Sequence, residues 1–266
     1  MQGPRVREAM DVDGLAFAMS VGFRDPAVVE LIGLAGFDAV FLDMEHSAFD
    51  FGLIEEMVAR VRWSGSHPLV RVPDNNPKAI LRVLDMSAQG VFVPHIRGVD
   101  DARQAIRAVR YPPVGERGSV STSRAARFGL VDWTEHVATS NRQILLAVIV
   151  EDIGVAREVD AIASLDGLDL VLVGPFDLAT SMGIFEDNHP EVRSVVEAIA
   201  RTVRAVGGAR LGFVLNHRSY PLGVPGLLKL GASFALCLPS PHALLLDSLR
   251  AQAEAVRAEA RRLKPN

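Results

Sequence analysis

Short runs dominated by Val, Ile, Leu and Phe recur along the chain at 14–19, 38–43, 68–73, 90–94, 144–151, 168–174, 211–215 and 232–238. Amphipathic stretches of helical length fall between them near 26–35, 50–62, 77–87, 99–109, 154–164, 190–206, 219–230 and 242–262. A short apolar run bounded by turn residues predicts a strand, and apolar positions spaced by three and four predict a helix. Eight strands, each followed by a helix, predict an α/β chain folded as a (β/α)8 TIM barrel. The same local pattern is compatible with an open doubly wound sheet, and the pattern alone does not separate the two.

Helix starts carry their own signatures. Asp25-Pro26, Asn76-Pro77 and His189-Pro190 each put proline at a first helical position, where its missing N–H costs nothing. Asp25 and Asn76 are good N-caps. Gly36 and Gly90 stand where a helix should end in a left-handed residue before the next strand. Two segments break the rhythm. Residues 110–141 read as a long connection holding Pro112-Pro113 and Arg110, Arg117, Arg124 and Arg127, and 181–190 is a shorter polar one. No repeat or linker interrupts the chain, so 1–266 reads as one barrel domain.

Composition narrows the function. The chain has 266 residues, 49% of them hydrophobic, and a formal net charge of −4 with both signs mixed along it. Strands buried on both faces account for so apolar a composition. No basic stripe predicts a nucleic-acid partner and no basic amphipathic stretch predicts a membrane surface. The first apolar stretch, Leu15 to Met19, is short and follows Glu8, Asp11 and Asp13 instead of a basic segment, so the expected location is cytoplasmic. The single cysteine, Cys237, lies in the apolar run Phe234 to Leu238 and reads as a buried, inert thiol.

In a parallel barrel the carboxyl ends of the strands build the site. Asp43-Met44-Glu45-His46 follows the second strand, Arg71 lies in the third and Pro94-His95 ends the fourth. Glu151 ends the fifth, Gly174-Pro175-Phe176-Asp177 follows the sixth, and Asn216-His217 follows the seventh. Glu151 and Asp177, on adjacent strands, would repel one another unless a cation lay between them, and oxygen donors with open positions suit Mg²⁺ or Mn²⁺. Alternatively each carboxylate caps a helix or pairs with an arginine. No histidine pair with zinc spacing accompanies them. His46 reads either as an ordinary histidine or as a base oriented by Asp43 or Glu45. Arg71, inside Leu69-Val70-Arg71-Val72-Pro73, needs an anionic partner, either substrate or an internal acid.

These motifs resemble the HpcH/HpaI aldolase family. The resemblance is carried by Gly36-Phe37-Asp38 with Phe41-Leu42-Asp43-Met44-Glu45-His46, then Leu69-Val70-Arg71-Val72 and Leu84-Asp85. It continues through Arg110-Tyr111-Pro112-Pro113, Gly115-Glu116-Arg117-Gly118, Glu151 and Gly174-Pro175-Phe176-Asp177-Leu178, in order from about 14 to 238. It implies a class II pyruvate aldolase that cleaves a 4-hydroxy-2-oxo acid to pyruvate and an aldehyde. A divalent metal (Mg²⁺ or Mn²⁺, with Co²⁺ also accepted) takes the place of a Schiff-base lysine, in keeping with the placement of Lys78, Lys229 and Lys264 in helices or the tail. The resemblance gives Glu151 and Asp177 as metal ligands and the N–H groups of Phe176 and Asp177 as carboxylate binders. It gives His46 as base, Asp85 as the group raising its basicity, and Arg71 as stabiliser of the oxyanion.

The resemblance also implies a homo-oligomer, commonly a hexamer, in which the helix at 242–262 packs on a neighbour or closes its own barrel. Three positions depart from the family pattern: Ile149 replaces a glutamine, the bulky Phe176 a small residue, and Leu238-Pro239-Ser240 a Gly-x-Asp. They spare the ligands and base but change the pocket. A malyl- or citramalyl-CoA-type thioester lyase and a non-catalytic metal-binding barrel are the alternative readings.

Overall fold

The computed structural model describes residues 6–263, and eight parallel strands in them close into a barrel in sequence order. They are β1 (Ala16–Val21), β2 (Ala39–Asp43), β3 (His67–Arg71), β4 (Gly90–Val93), β5 (Leu145–Val150), β6 (Leu170–Val173), β7 (Arg210–Val214) and β8 (Ala232–Cys237). β8 closes on β1, with Ala16 opposite Phe234, which excludes the open sheet. Around them run α2 (Pro26–Leu34), α3 (Phe51–Trp63), α4 (Pro77–Asp85), α5 (Val99–Val109), α6 (Trp133–Gln143), α7 (Ile153–Ala156) and α8 (Val159–Ala163). The series continues with α9 (Pro175–Ser181), α10 (Pro190–Val206), α11 (Val224–Leu230) and α12 (Pro241–Leu263), and α1 (Val6–Val12) precedes β1.

Strand alternation sorts the apolar side chains into two cores. One set faces the helices. The other fills the barrel, where Phe92 meets Phe41 edge-on and Phe234 at a tilt, with ring centroids 5.0 and 5.5 Å apart. Ala16, Ala18, Ala39 and Ala147 make room for them, so large and small residues interdigitate at the density a core requires. Val6, Ala9 and Met10 of α1 join this inner cluster, so α1 plugs the end where the strands begin. Seven residues with apolar positions three and four apart were too short a signal to predict α1.

The expected N-caps hold. Asp25 accepts from Ala27 N, and Asn76 accepts from Lys78 N and Ala79 N. Gly36 takes φ 94 after α2 as expected, but Gly90 does not cap α4; Ser87 holds the left-handed position there, at φ 77. Gly90 instead begins β4 inside the barrel, where a Cβ would stand 2.6 Å from Leu69 Cδ2. Crowding selects this glycine, not backbone conformation.

The long connection at 110–141 is shorter than its sequence suggests, because its last third is α6, started by Asp132 accepting from Glu135 N. Two of its arginines are structural. Arg110 is 2% exposed; it donates to the carbonyls of Ile144 and Gly167 and pairs with Asp169 at 2.8 Å. Arg117 lies over the Tyr111 ring and donates to Asp85 at 3.0 Å. Cys237 is buried, and burial pushes its thiol up to about 11, consistent with an inert side chain. No helix among the described residues is long and apolar enough to cross a membrane.

Arg110 ties the connections at the amino end of the barrel together, and removing it takes a donor from the carbonyls of Asn141, Ile144 and Gly167 and leaves Arg7 as the remaining cation on Asp169. Arg110→Met is expected to lower unfolding free energy by about 3 kcal/mol in urea denaturation, without changing the catalytic end.

Candidate active site

The polar residues at the carboxyl ends of β2 to β6 converge as one connected set. Asp43, the last residue of β2, pairs in register with Arg71, the last of β3. Arg71 Nε donates to Asp43 Oδ1 at 2.9 Å and Nη2 to Oδ2 at 2.6 Å, a two-point carboxylate clamp. The other oxygen contacts of Asp43 are the backbone N–H groups of Glu45 and His46, at 3.0 and 3.3 Å. Burial pushes the Asp43 carboxyl up, but Arg71 and these two N–H groups outweigh it and leave it below the ordinary aspartate value.

Asp43 therefore does not orient the His46 ring; it shapes the turn that carries it. Glu45 is the hub of the next layer. Its Oε2 lies 2.9 Å from Arg71 Nη1 as an ion pair without hydrogen-bond alignment, and 3.8 Å from His46 Nε2. Its Oε1 lies 2.8 Å from His95 Nε2. His95 reaches on to Glu151, with Nδ1 3.3 Å from Glu151 Oε1 and its backbone N–H donating to the same oxygen at 2.7 Å. The left-handed backbone of His95, at φ 48, brings both its amide and its ring to the carboxylates, a strain of the kind stored at functional sites. Sequence reading placed His95 at a strand end and gave it no role; its position after Pro94 was the available signal.

Glu151 is 4% exposed and caps nothing, because Asp152 caps α7 through Gly154 N. Burial first, then the negative charges of Asp177 and Glu45, push the Glu151 carboxyl above its ordinary value, against the pull of His95. Gly174 makes room for it, since a Cβ there would stand 3.0 Å from Glu151 Cβ and 3.2 Å from its Oε2. Asp177 lies in the first turn of α9, and its side chain accepts no hydrogen bond among the described residues. Gly174 offers no side chain to cap that turn and Pro175 has no N–H, so the N–H groups of Phe176 and Asp177 are left for another acceptor.

Of the residues picked out in the sequence, His46, Arg71, Glu151, Phe176 and Asp177 share this mouth. Asp85 does not. It ends α4, which runs from the carboxyl end of β3 back toward the start of β4, and it is held there by Arg117. Within one chain, Asp85 and His46 stand at opposite ends of the barrel. Lys78 and Lys229 are exposed on α4 and α11 and belong to no strand, while Lys264 lies outside the described residues.

The Asp43 carboxylate contributes stability that is complete above the ordinary aspartate range and lost as pH falls through its lowered value. Asp43→Ala leaves Arg71 without its clamp and is expected to cost about 3 kcal/mol at neutral pH. Urea titrations should show the gap between variant and wild type narrowing as the solution is acidified below that range.

Comparison with known proteins agrees with this geometry. Residues 17–229 match the model of the HpcH/HpaI aldolase/citrate lyase family. A hydroxypyruvate/pyruvate aldolase of Roseovarius nubinhibens is 36% identical over 205 residues, 76% of this chain and 79% of that protein. A 5-keto-4-deoxy-D-glucarate aldolase of an Enterobacter species is 39% identical over 68% of this chain and 71% of its own. The solved structure of an HpcH/HpaI aldolase/citrate lyase family protein from Burkholderia cenocepacia superposes with a TM-score of 0.84 at 28% identity, covering 95% of this chain and 98% of that one. With the barrel, the strand-end carboxylates and these likenesses in agreement, the chain belongs to the HpcH/HpaI aldolase/citrate lyase family and is a carbon–carbon lyase.

Proposed function

We propose that this lyase is a divalent-metal-dependent class II aldolase that reversibly cleaves a 4-hydroxy-2-oxo acid to pyruvate and an aldehyde. The observation that carries the reading is the run of carboxylates along this mouth: Asp43 and Glu45 pair with the Arg71 guanidinium, Asp177 acts on the buried Glu151, and His46 stands beside Glu45. Such an excess of buried carboxylate is costly without a cation. The names of the aldolase relatives point to the same 2-oxo-acid chemistry.

The donor set fits Mg²⁺ or Mn²⁺, and also Co²⁺: hard carboxylate oxygens from Glu151 and Asp177, with remaining positions left to water and substrate. When bound, the cation supplies Lewis-acid polarisation of the substrate's keto group.

The chain's own residues do the rest. The N–H groups of Phe176 and Asp177 receive the 2-oxo acid's carboxylate at the start of α9. Arg71 has five N–H groups; Asp43 takes two and Glu45 lies against a third, which leaves donors for the negative charge that develops on the oxygen beside the breaking bond. Held rigid by Asp43, those donors need no reorganisation during the reaction. His46 removes the proton of the C4 hydroxyl as the C3–C4 bond breaks and passes a proton, directly or through water, to C3 of the resulting enolate to give pyruvate; the same transfers run backwards in the aldol direction. In the absence of a strand lysine, no Schiff base is part of this reading.

Asp85 can raise the basicity of His46 only if a second copy supplies it, and Arg117 holds one of its oxygens in position for that. α12 also favours a homo-oligomer, for which a hexamer is the proposed form. None of its described side chains is buried, and Leu244, Leu245, Leu249 and Val256 are about half exposed or more. The proposed setting is the cytoplasm, with small-molecule substrates and neither nucleic acid nor membrane as partner.

Because Glu151 has its carboxyl raised in the folded state, its ionisation works against the metal-free fold. That penalty sets in as pH rises through the ordinary glutamate range toward the raised value. Metal-free Glu151→Gln is therefore expected to melt at or above wild type at neutral pH, with the difference fading in acid. Mg²⁺ or Mn²⁺ should raise the melting temperature of wild type and leave that of Glu151→Gln unchanged. Equal metal-induced shifts in both proteins would remove Glu151 from the metal site.

A further inference from the structure

Glu151 directly follows β5, which lies between β4 and β6 in the barrel, and its two oxygens face those two neighbours. Oε1 is engaged on the β4 side by His95, whose backbone N–H donates to it at 2.7 Å and whose ring Nδ1 lies 3.3 Å away. Oε2 lies against the turn after β6, where a Cβ built on Gly174 would stand 3.2 Å from it. Just beyond that turn is Asp177, in the first turn of α9. The carboxylate is thus divided, with one oxygen held and the other directed toward the second acid.

The neighbours of His95 in sequence set it in place. Pro94 and Ile96, on either side of it, are buried. The chain is then fastened where Arg97 N donates to Asp101 Oδ2 at 2.9 Å and Val99 N to Glu158 Oε2 at 3.1 Å. Between those anchors the φ of 48 brings the exposed His95 side chain back to the mouth while its amide still reaches Glu151. Glycine would hold the same backbone and amide without strain, so what histidine adds at this position is its ring.

That ring meets a carboxylate at each nitrogen. Nε2 lies 2.8 Å from Glu45 Oε1, and Glu45 Oε2 is 2.9 Å from Arg71 Nη1. The side chains of Glu45 and Glu151 are 9% and 4% exposed, against 62% for His95, so the ring lies at the rim over two buried acids. A carboxylate with one oxygen held cannot turn about its last bond without losing that contact. Removing the outer partner of a ligand held in this way costs about 10- to 100-fold in metal affinity.

We propose that the His95 ring is the positioning residue for Glu151: it keeps Oε1 on the β4 side so that Oε2 is presented to a divalent cation beside Asp177, and through Glu45 it joins that orientation to Arg71. The inference rests on the metal-dependent reading of the site. His95 touches neither substrate nor cation in this account and acts through Glu151.

Mn²⁺ binding, followed by the electron paramagnetic resonance of the free ion, tests this without turnover. His95→Gly and His95→Leu both lack the ring nitrogens, and the glycine variant keeps the left-handed backbone. Each should bind Mn²⁺ about tenfold more weakly than wild type while still melting cooperatively without metal, and either variant that folds decides the matter. His95→Asn, which accepts left-handed backbone and keeps an amide donor, should recover part of the loss. Glu151→Gln separates this inference from the reading beneath it. Mn²⁺ affinity unchanged in a folded His95→Gly or His95→Leu, with Glu151→Gln strongly weakened, overturns the role of His95 and leaves the metal site standing. A wild type that binds no Mn²⁺, or binds it no better than Glu151→Gln, overturns both.

Discussion

The site depends on a buried guanidinium held between carboxylates at the last turn of a barrel strand. Arg71 lies among apolar neighbours in β3, where an unpaired charge would cost several kcal/mol. The register that places Asp43 opposite it resolves that cost and does more. By fixing Arg71 through two hydrogen bonds, Asp43 leaves Glu45 turned toward the two histidines, and His95 carries the chain of contacts to Glu151. Each side chain in the series is positioned by the one before it. A side chain held this way needs little rearrangement, which is the condition a preorganised site requires.

The two ends of the barrel use charge in opposite ways. At the amino end, buried Arg110 donates to backbone carbonyls and pairs with Asp169, which also accepts from Leu146 N, and α1 closes the barrel beneath them. Those contacts hold the connections together. At the carboxyl end, negative groups outnumber their partners, Glu151 is pushed toward its neutral form, and the first turn of α9 is uncapped. Stability has been given up there in favour of binding, as expected where function and folding compete.

Much of this was legible in the sequence. Strand runs and proline-marked helix starts gave all eight strands of the barrel to within a few residues, because those signals are local. His46, Arg71, Glu151, Phe176 and Asp177 come to one mouth because parallel topology sends strand ends to the same side. What was missed depends on tertiary contact. α1 is too short to show a period, and α6 is too polar to stand out from its connection. Of the two acids the sequence offers the His46 ring, Glu45 lies near it and Asp43 is instead the clamp on Arg71, a matter of register that no local pattern contains. The role of His95 rests on a left-handed backbone, which histidine does not announce. Asp85 was picked out by resemblance alone, and the fold puts it at the far end of its own barrel.

On the proposed function this mouth generates negative charge on the carbon next to a 2-oxo acid's carbonyl, with a cation and His46 both required. Proton NMR of pyruvate in D₂O tests it without an aldehyde. With purified protein and Mg²⁺ the methyl signal should decline as deuterium enters, and it should persist when EDTA is added or when His46→Ala replaces wild type. Exchange that continues undiminished in EDTA, or its absence from a folded, Mg²⁺-loaded wild type, would contradict the account.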